Sequence, residues 1–320
     1  MKPFITLCCA LLAFSSFSVA QDAQADKPGQ PGSTAQQEQQ PQQQPQFPAG
    51  TKTNPAPKSK EEADAYMAAT QLTDGTALEA AANDFAAKYP DSQFKGPLFQ
   101  RAMLTYLQAG NTDKATEAGR RALTFDPDDP LTLAQMATVL AERTRASDLD
   151  KEERWADATR FANEALKNAE EPRVSATAPP EAVASLKNQI REWAYTALGT
   201  IAFNRKDFAA AEQNFVKGAQ VNTAQPDPAT YFRIAAAQRN QGKYQAALES
   251  INKTIQVAQA SQDAAMTSMA QQQKADLERI IAQKGGVKPA GTPAATPATQ
   301  GPATQPAPTA PATQSAPTPR

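Results

Sequence analysis

Histidine is absent from this sequence of 320 residues, and cysteine occurs only as Cys8 and Cys9. Both cysteines lie in an apolar N-terminal stretch that we expect to be removed from the mature protein. Without imidazole or thiol groups, the mature chain cannot form a His- or Cys-ligated zinc site, a thiol nucleophile or a disulfide. Catalysis would have to depend on carboxylates.

An excess of positive charge is also missing. The chain has 32 Lys and Arg residues against 33 Asp and Glu residues, a formal net charge of −1. This balance provides no general electrostatic attraction to nucleic acid or to an anionic membrane surface. We therefore predict neither as a partner.

Residues 1–20 have the pattern of a signal peptide. A basic Lys2 precedes a short apolar stretch, which ends in the small residues Ser18 and Ala20. The stretch is shorter than the roughly 20 residues that span a bilayer. We predict cleavage after Ala20 and a periplasmic or secreted protein, with a retained N-terminal anchor as the alternative.

Proline is concentrated near the two ends of the chain. Residues 21–58 are rich in Gln and Pro, and residues 285–320 are rich in Pro, Ala and Thr. Such segments have too little apolar surface to offset the entropy of ordering. We predict a disordered linker and a disordered tail that act as spacers, or alternatively carry a Pro-rich ligand for a partner domain.

Residues 59–284 are rich in strong helix formers and lack the alternating pattern of strands. This predicted helical domain contains an internal period. Phe208-x-x-Ala211-x-x-x-Phe215 is matched by Tyr244-x-x-Ala247-x-x-x-Ile251. The two copies are separated by about one 34-residue unit and a small insertion.

At these residues the chain resembles the tetratricopeptide repeat family of secreted or periplasmic type. The resemblance implies an all-α fold: a right-handed α-solenoid of about five helix-turn-helix repeats plus a C-terminal capping helix. Each unit can bury its apolar face only by stacking on its neighbours. We place an opening pair at 59–91, units at 96–129, 130–172, 192–225 and 228–261, and a final helix at 262–284.

Two positions and one segment depart from the family pattern. Gly119 and Ala162 stand where a large aromatic side chain is usual, which predicts loosened or rearranged packing. The segment 174–180 interrupts the array and contains Pro179 and Pro180, so we interpret it as a hinge.

The resemblance also implies that one face of each first helix lines a concave groove for a peptide or partner helix. We call the predicted contact residues the groove residues: Trp193, Thr200, Phe203, Asn204, Phe232, Arg239 and Asn240. Aromatic and arginine side chains concentrate binding energy when a partner desolvates them. For Trp193 and Phe203, packing against a neighbouring helix is the alternative.

Acidic clusters at 126–129 and 148–153 are candidate oxygen ligands for calcium, but neither has the central glycine and terminal glutamate of a calcium loop. We interpret them as helix caps. We predict no catalytic residue, metal or cofactor.

The sequence favours a non-catalytic adaptor that binds a protein or peptide partner of unknown identity in the cell envelope. The first alternative is a structural spacer that assembles with copies of itself. The second is a carboxylate-dependent hydrolase, which requires a cleft and at least one Asp or Glu with a strongly raised pKa.

Overall fold

The computed structural model describes residues 52–53, 55–175 and 177–284. The predicted signal peptide, nearly all of the predicted linker and the predicted tail lie outside these residues. The described part contains two short strands, β1 (Lys52–Thr53) and β2 (Arg173–Val174), and eleven helices. The helices are α1 (Lys60–Thr70), α2 (Gly75–Lys88), α3 (Lys95–Gln108), α4 (Thr112–Phe125), α5 (Pro130–Arg143), α6 (Lys151–Asn168), α7 (Pro180–Asn204), α8 (Phe208–Val221), α9 (Pro228–Asn240), α10 (Tyr244–Ala260) and α11 (Ala264–Lys284).

Consecutive helices pack as pairs, from α1 with α2 to α9 with α10, and α11 packs on α10. Short connections join the two helices of each pair. The prediction of an α-solenoid with five helical hairpins and a C-terminal helix is therefore confirmed for the described residues.

Many of the helices are capped at their N-terminus by a side chain. Asp74, Asn111, Asp129 and Asp207 each accept a hydrogen bond from a backbone N–H in the first turn of α2, α4, α5 and α8, at 2.8–3.2 Å. Each cap satisfies a donor that has no partner within the helix.

The two acidic clusters that we considered as calcium ligands are used locally. Asp129 caps α5, and Asp126 forms an ion pair with Arg173 at 2.6 Å. In the second cluster, Asp148 accepts a hydrogen bond from the Arg145 backbone at 2.9 Å, and Asp150 pairs with Arg154 at 2.6 Å. Among the described residues there is no group of three or more Asp and Glu side chains that could hold a metal ion.

The packing at Gly119 is rearranged. A Cβ built at this position would collide with the sulfur atoms of Met103 on α3 and Met136 on α5. Both methionines are fully buried. Two flexible side chains thus fill the space that a large residue at 119 would occupy.

The strand pair was not predicted from the sequence. β1 and β2 are parallel, with Lys52 paired with Arg173, and the Lys52 N–H donates to the Pro172 carbonyl at 3.1 Å. Arg173 also pairs with Asp126. We interpreted the segment 174–180 as a hinge. The start of this segment is therefore anchored both by β1, which precedes α1, and by Asp126, which follows α4.

Most of the buried apolar residues in the described part of the chain fall into three clusters. The largest extends from α1 to α7, and the next lies between α8 and α9, where Phe215 and Ile234 belong to it. A third lies among α9, α10 and α11 and includes Ile251 and Leu277. The junction of α7, α8 and α9 therefore lies where one core ends and the next begins.

Candidate partner-binding site

Three groove residues share one stripe of α7, at the spacing of a helical face. Trp193 is half-buried and packs against the largest core cluster. The Thr200 hydroxyl donates to the Thr196 carbonyl at 2.9 Å, and the Asn204 amide donates to the Ala141 carbonyl of α5 at 3.5 Å. This stripe therefore borders α5, and each of the three side chains keeps some accessible surface.

Phe203 contributes to packing. Its ring meets Phe208 edge to face, with centroids 5.2 Å apart, and it packs against the cluster between α8 and α9. Phe203 therefore packs against the neighbouring helix α8. Its side chain is half-buried, so only part of the ring is available to a partner.

The three groove residues of α9 differ in exposure. Phe232 is half-buried against the cluster of α9, α10 and α11. The Arg239 guanidinium donates to the Gln273 side chain of α11 at 2.6 Å. Asn240 is exposed, and its amide donates to the Ala236 carbonyl at 2.8 Å. Among these three, Asn240 is the residue most open to a partner.

An ion pair that sequence reasoning missed links α5 with α9. Arg233 donates to the Glu142 carboxylate at 2.9 Å, and about a third of each side chain is exposed. Arg233 also lies 3.9 Å from Asp227, which caps α9. The spacing from Ala229 through Arg233 to Ala236 and Asn240 places Arg233 on the face that carries Asn240, and this periodicity is the signal that could have identified it.

A buried carboxyl group was also missed. The Glu192 side chain on α7 is only 6 % exposed. It accepts a hydrogen bond from Asn222 at 2.6 Å, and the Thr230 hydroxyl lies 3.3 Å away. Burial raises the pKa of Glu192 to about 7, and the nearby charge of Asp227 adds to this effect, while the hydrogen bonds oppose it.

A buried Glu within a helix has no sequence signature. The residues that flank Glu192 form an amphipathic pattern, and this pattern is as compatible with an exposed polar side chain at position 192 as with a buried one. Only the positions of Asn222 and Thr230, which are distant in sequence, reveal that it is enclosed.

Two of the open cavities in the described part of the chain lie away from these residues. One of about 260 Å³ is bordered by Thr116, Val139 and Arg143, from α4 and α5. Another of about 750 Å³ lies beside the strand pair and is bordered by Lys95 and Phe125. Neither cavity includes a groove residue or Glu192.

None of the helices in the described part of the chain is both long and apolar enough to cross a bilayer.

The contact between α7 and α8 shows how the two helices of a repeat fit together. A Cβ at Gly199 would lie 2.5 Å from the ring of Phe215, and Gly218 approaches the Glu192 backbone. The small residues on one helix thus make room for a large residue on the other. The described residues form an array of packed helical hairpins, the architecture that the resemblance implied.

No protein-family model matches the chain, and no curated protein matches it. Solved structures that are similar include PilW, described as a widely conserved type IV pilus biogenesis factor, at 15 % identity over 72 % of this chain and 96 % of PilW, with a TM-score of 0.41. PilF of Pseudomonas aeruginosa is similar at 16 % identity over 70 % of this chain and 94 % of PilF, with a TM-score of 0.43. The RpL4 assembly chaperone Acl4 is similar at 12 % identity over 69 % of this chain and 99 % of Acl4, with a TM-score of 0.31.

Proposed function

We propose that this protein is a non-catalytic adaptor of the cell envelope, exported by its signal peptide, that binds a protein or peptide partner along α7 and α9. The observation that carries this proposal is the combination of half-buried aromatic and accessible polar side chains on these helices. Trp193 and Phe232 are fixed by the core on one side, and Asn204, Arg239 and Asn240 lie on the same two helices.

Such a surface suits a peptide better than a small molecule. Rigid aromatic rings supply contact area at low entropic cost, and amide and guanidinium groups can bond a peptide backbone. The Arg233–Glu142 pair lies beside them and adds one charge of each sign. A partner segment of mixed polar and apolar character is therefore expected.

Photocrosslinking tests where the partner binds. A photoreactive amino acid replaces Asn240, which is exposed on α9, and in a matched variant it replaces Asn252, which is exposed on α10. In cells, the same partner band should form from position 240 and be absent or much weaker from position 252. Equal crosslinking from both positions, or from 252 alone, would contradict the proposed site.

A second candidate function is self-assembly into an envelope spacer, which the two terminal helices favour. Met67 on α1 and Met269 on α11 are 60 % and 42 % exposed, whereas terminal repeats that only cap an array present a polar outer face. Light scattering across a concentration series separates the two functions. The spacer is supported if the measured molecular mass grows with concentration and if Met67→Glu and Met269→Glu each abolish this growth. A molecular mass that stays at the monomer value would exclude the spacer.

A further inference from the structure

The hydrogen bonds around Glu192 pose a problem of proton supply. The Thr230 hydroxyl lies 3.3 Å from the Glu192 carboxylate and 3.2 Å from the Asp227 carboxylate. A hydroxyl has one proton to donate, and an ionised carboxylate can only accept. If both acids are ionised, one of these two contacts therefore lacks a hydrogen.

A proton on Glu192 removes this conflict. The protonated acid donates to the Thr230 oxygen, Thr230 donates to Asp227, and the other oxygen of Glu192 still accepts from Asn222. The chain of bonds then runs without a gap from α7 to the start of α9. Thr230 is 1 % exposed, so water has little access to replace a missing link.

The charges that face Glu192 do not favour its ionised form. Asp227 in the loop before α9 repels it, and Tyr231 on α9 is near enough for Glu192 to raise the pKa of its phenol, which burial also raises. Arg233 is the attractive group, but it is hydrogen-bonded to Glu142. The neighbouring groups from α8 and its C-terminal cap are the uncharged Gly218 and Asn222.

We propose that the joint between α7, α8 and α9 is a proton-operated switch, closed when Glu192 is protonated and loosened at the N-terminal end of α9 when Glu192 is ionised. Burial raises the pKa of Glu192 to about 7, which places the transition near neutral pH. Because the chain has no histidine, no imidazole competes for this range. The switch does not depend on which partner the protein binds.

Hydrogen exchange of the full-length protein between pH 5 and pH 8.5, corrected for the intrinsic rate, tests the switch at amides 222–234. The opening constant of this segment should rise with pH by up to about tenfold per pH unit until Glu192 is fully ionised. Glu192→Gln should keep the segment protected at every pH, because its amide can donate to Thr230 and its carbonyl can accept from Asn222.

Two matched control variants show whether the pH dependence comes from Glu192. Glu212 pairs with Lys243 at 2.7 Å, and hydrogen bonds from Lys243 and its neighbours outweigh burial and lower its pKa. Burial raises the pKa of Asp129, which lies far from α9 in sequence. Glu212→Gln and Asp129→Asn should both retain the pH dependence at 222–234.

The proposal is overturned if the corrected exchange of this segment is independent of pH, or if Glu192→Gln keeps the dependence. Should Glu192→Gln fail to fold, infrared spectroscopy of the unsubstituted protein decides. A protonated carboxyl band that persists at pH 6 and disappears by pH 8 supports the switch, and the absence of such a band at pH 6 contradicts it.

Discussion

Phe215 on α8 lies against the backbone of Gly199 on α7, so closely that a Cβ at position 199 would be 2.5 Å from two carbon atoms of the ring. Phe215 is itself only 2 % exposed and cannot retreat without disturbing the cluster between α8 and α9. The close approach of the two helices therefore depends on the missing side chain.

Gly199→Ala should lower the free energy of unfolding by about 1–3 kcal/mol, because the added methyl group overpacks a rigid contact. Urea denaturation monitored by circular dichroism measures this change, with an unaltered slope as the sign that the folded state is otherwise preserved.

Gly218→Ala is the matched control on the same hairpin. A Cβ there would make only ordinary contacts, the nearest at 3.5 Å from the Glu192 carbonyl oxygen. Because alanine favours the helix over glycine, the variant should be as stable as the parent or more stable by about 0.5–1 kcal/mol. Equal destabilisation by both substitutions would show that the Phe215 contact is not the cause.

Gly119→Ala should be less damaging than Gly199→Ala, although both sites are crowded. The atoms that a Cβ would meet at 119 are the sulfurs of Met103 and Met136, which belong to flexible side chains. We expect a loss of about 1 kcal/mol or less in the same assay. A loss as large as that of Gly199→Ala would show that the methionines cannot rearrange.

The free energy of unfolding should decrease at acidic pH, because some carboxylates have a lowered pKa in the folded protein and lose their stabilising charge there. Burial disfavours the charge of Asp157, but hydrogen bonds from Arg120 and Arg160, at 2.7 and 3.0 Å, outweigh it and lower its pKa. The stabilisation by Asp157 is therefore present above its ordinary pKa of about 4 and is lost as the pH falls through its folded value.

Asp157→Asn should consequently show a smaller drop in melting temperature between pH 6 and pH 3 than the parent protein, measured by calorimetry. Glu192 acts in the opposite sense, because its pKa is raised: its contribution is fully present below about pH 4.5 and is lost as the pH rises toward 7. A parent protein whose melting temperature is constant from pH 3 to pH 8 would contradict both assignments.

The Glu142–Arg233 pair should contribute about 0.2–1 kcal/mol, since both side chains are about one third exposed. A double-mutant cycle with Glu142→Gln and Arg233→Gln, measured by urea denaturation, gives the coupling energy. The coupling should shrink at high salt because the pair is accessible to ions. A value near zero at low salt would mean that the pair does not restrain α5 and α9.

Phe232→Ala should weaken binding of the crosslinked partner by about 1–3 kcal/mol if the ring is a main contact. Isothermal titration with the identified partner measures this, and melting temperature reports on folding. Phe125→Ala is the control, because Phe125 is 37 % exposed beside the strand pair and is not a groove residue. Unchanged affinity together with a large fall in melting temperature would assign Phe232 to packing alone.

Much of the architecture was accessible from the sequence because the repeat imposes its own period. Phe208, Ala211 and Phe215 stand at spacings that fit the second helix of a hairpin, and the same spacings recur at Tyr244, Ala247 and Ile251. Proline marked the start of α5 and α9, where its missing N–H has no cost.

The candidate site was harder to predict from the sequence, because the spacing of residues along a helical face does not determine which other helix packs against that face. Phe203 and Trp193 have the spacing of an exposed stripe, but Phe203 lies against Phe208 and Trp193 borders the largest cluster. Glu192 and Thr230 form their contact only once α9 is placed, and no local pattern encodes that placement.

The pairing of Lys52 with Arg173 has a consequence for biosynthesis. Each helical hairpin needs only its own residues and the preceding unit to form, so the repeats can fold successively as the chain emerges from the ribosome or translocation channel. The strand that precedes α1 has no partner until three complete hairpins later, when β2 arrives. The segment that precedes α1 is thus ordered only after the first three hairpins have formed, and a protease supplied during synthesis should cleave there before it cleaves within the first two repeats.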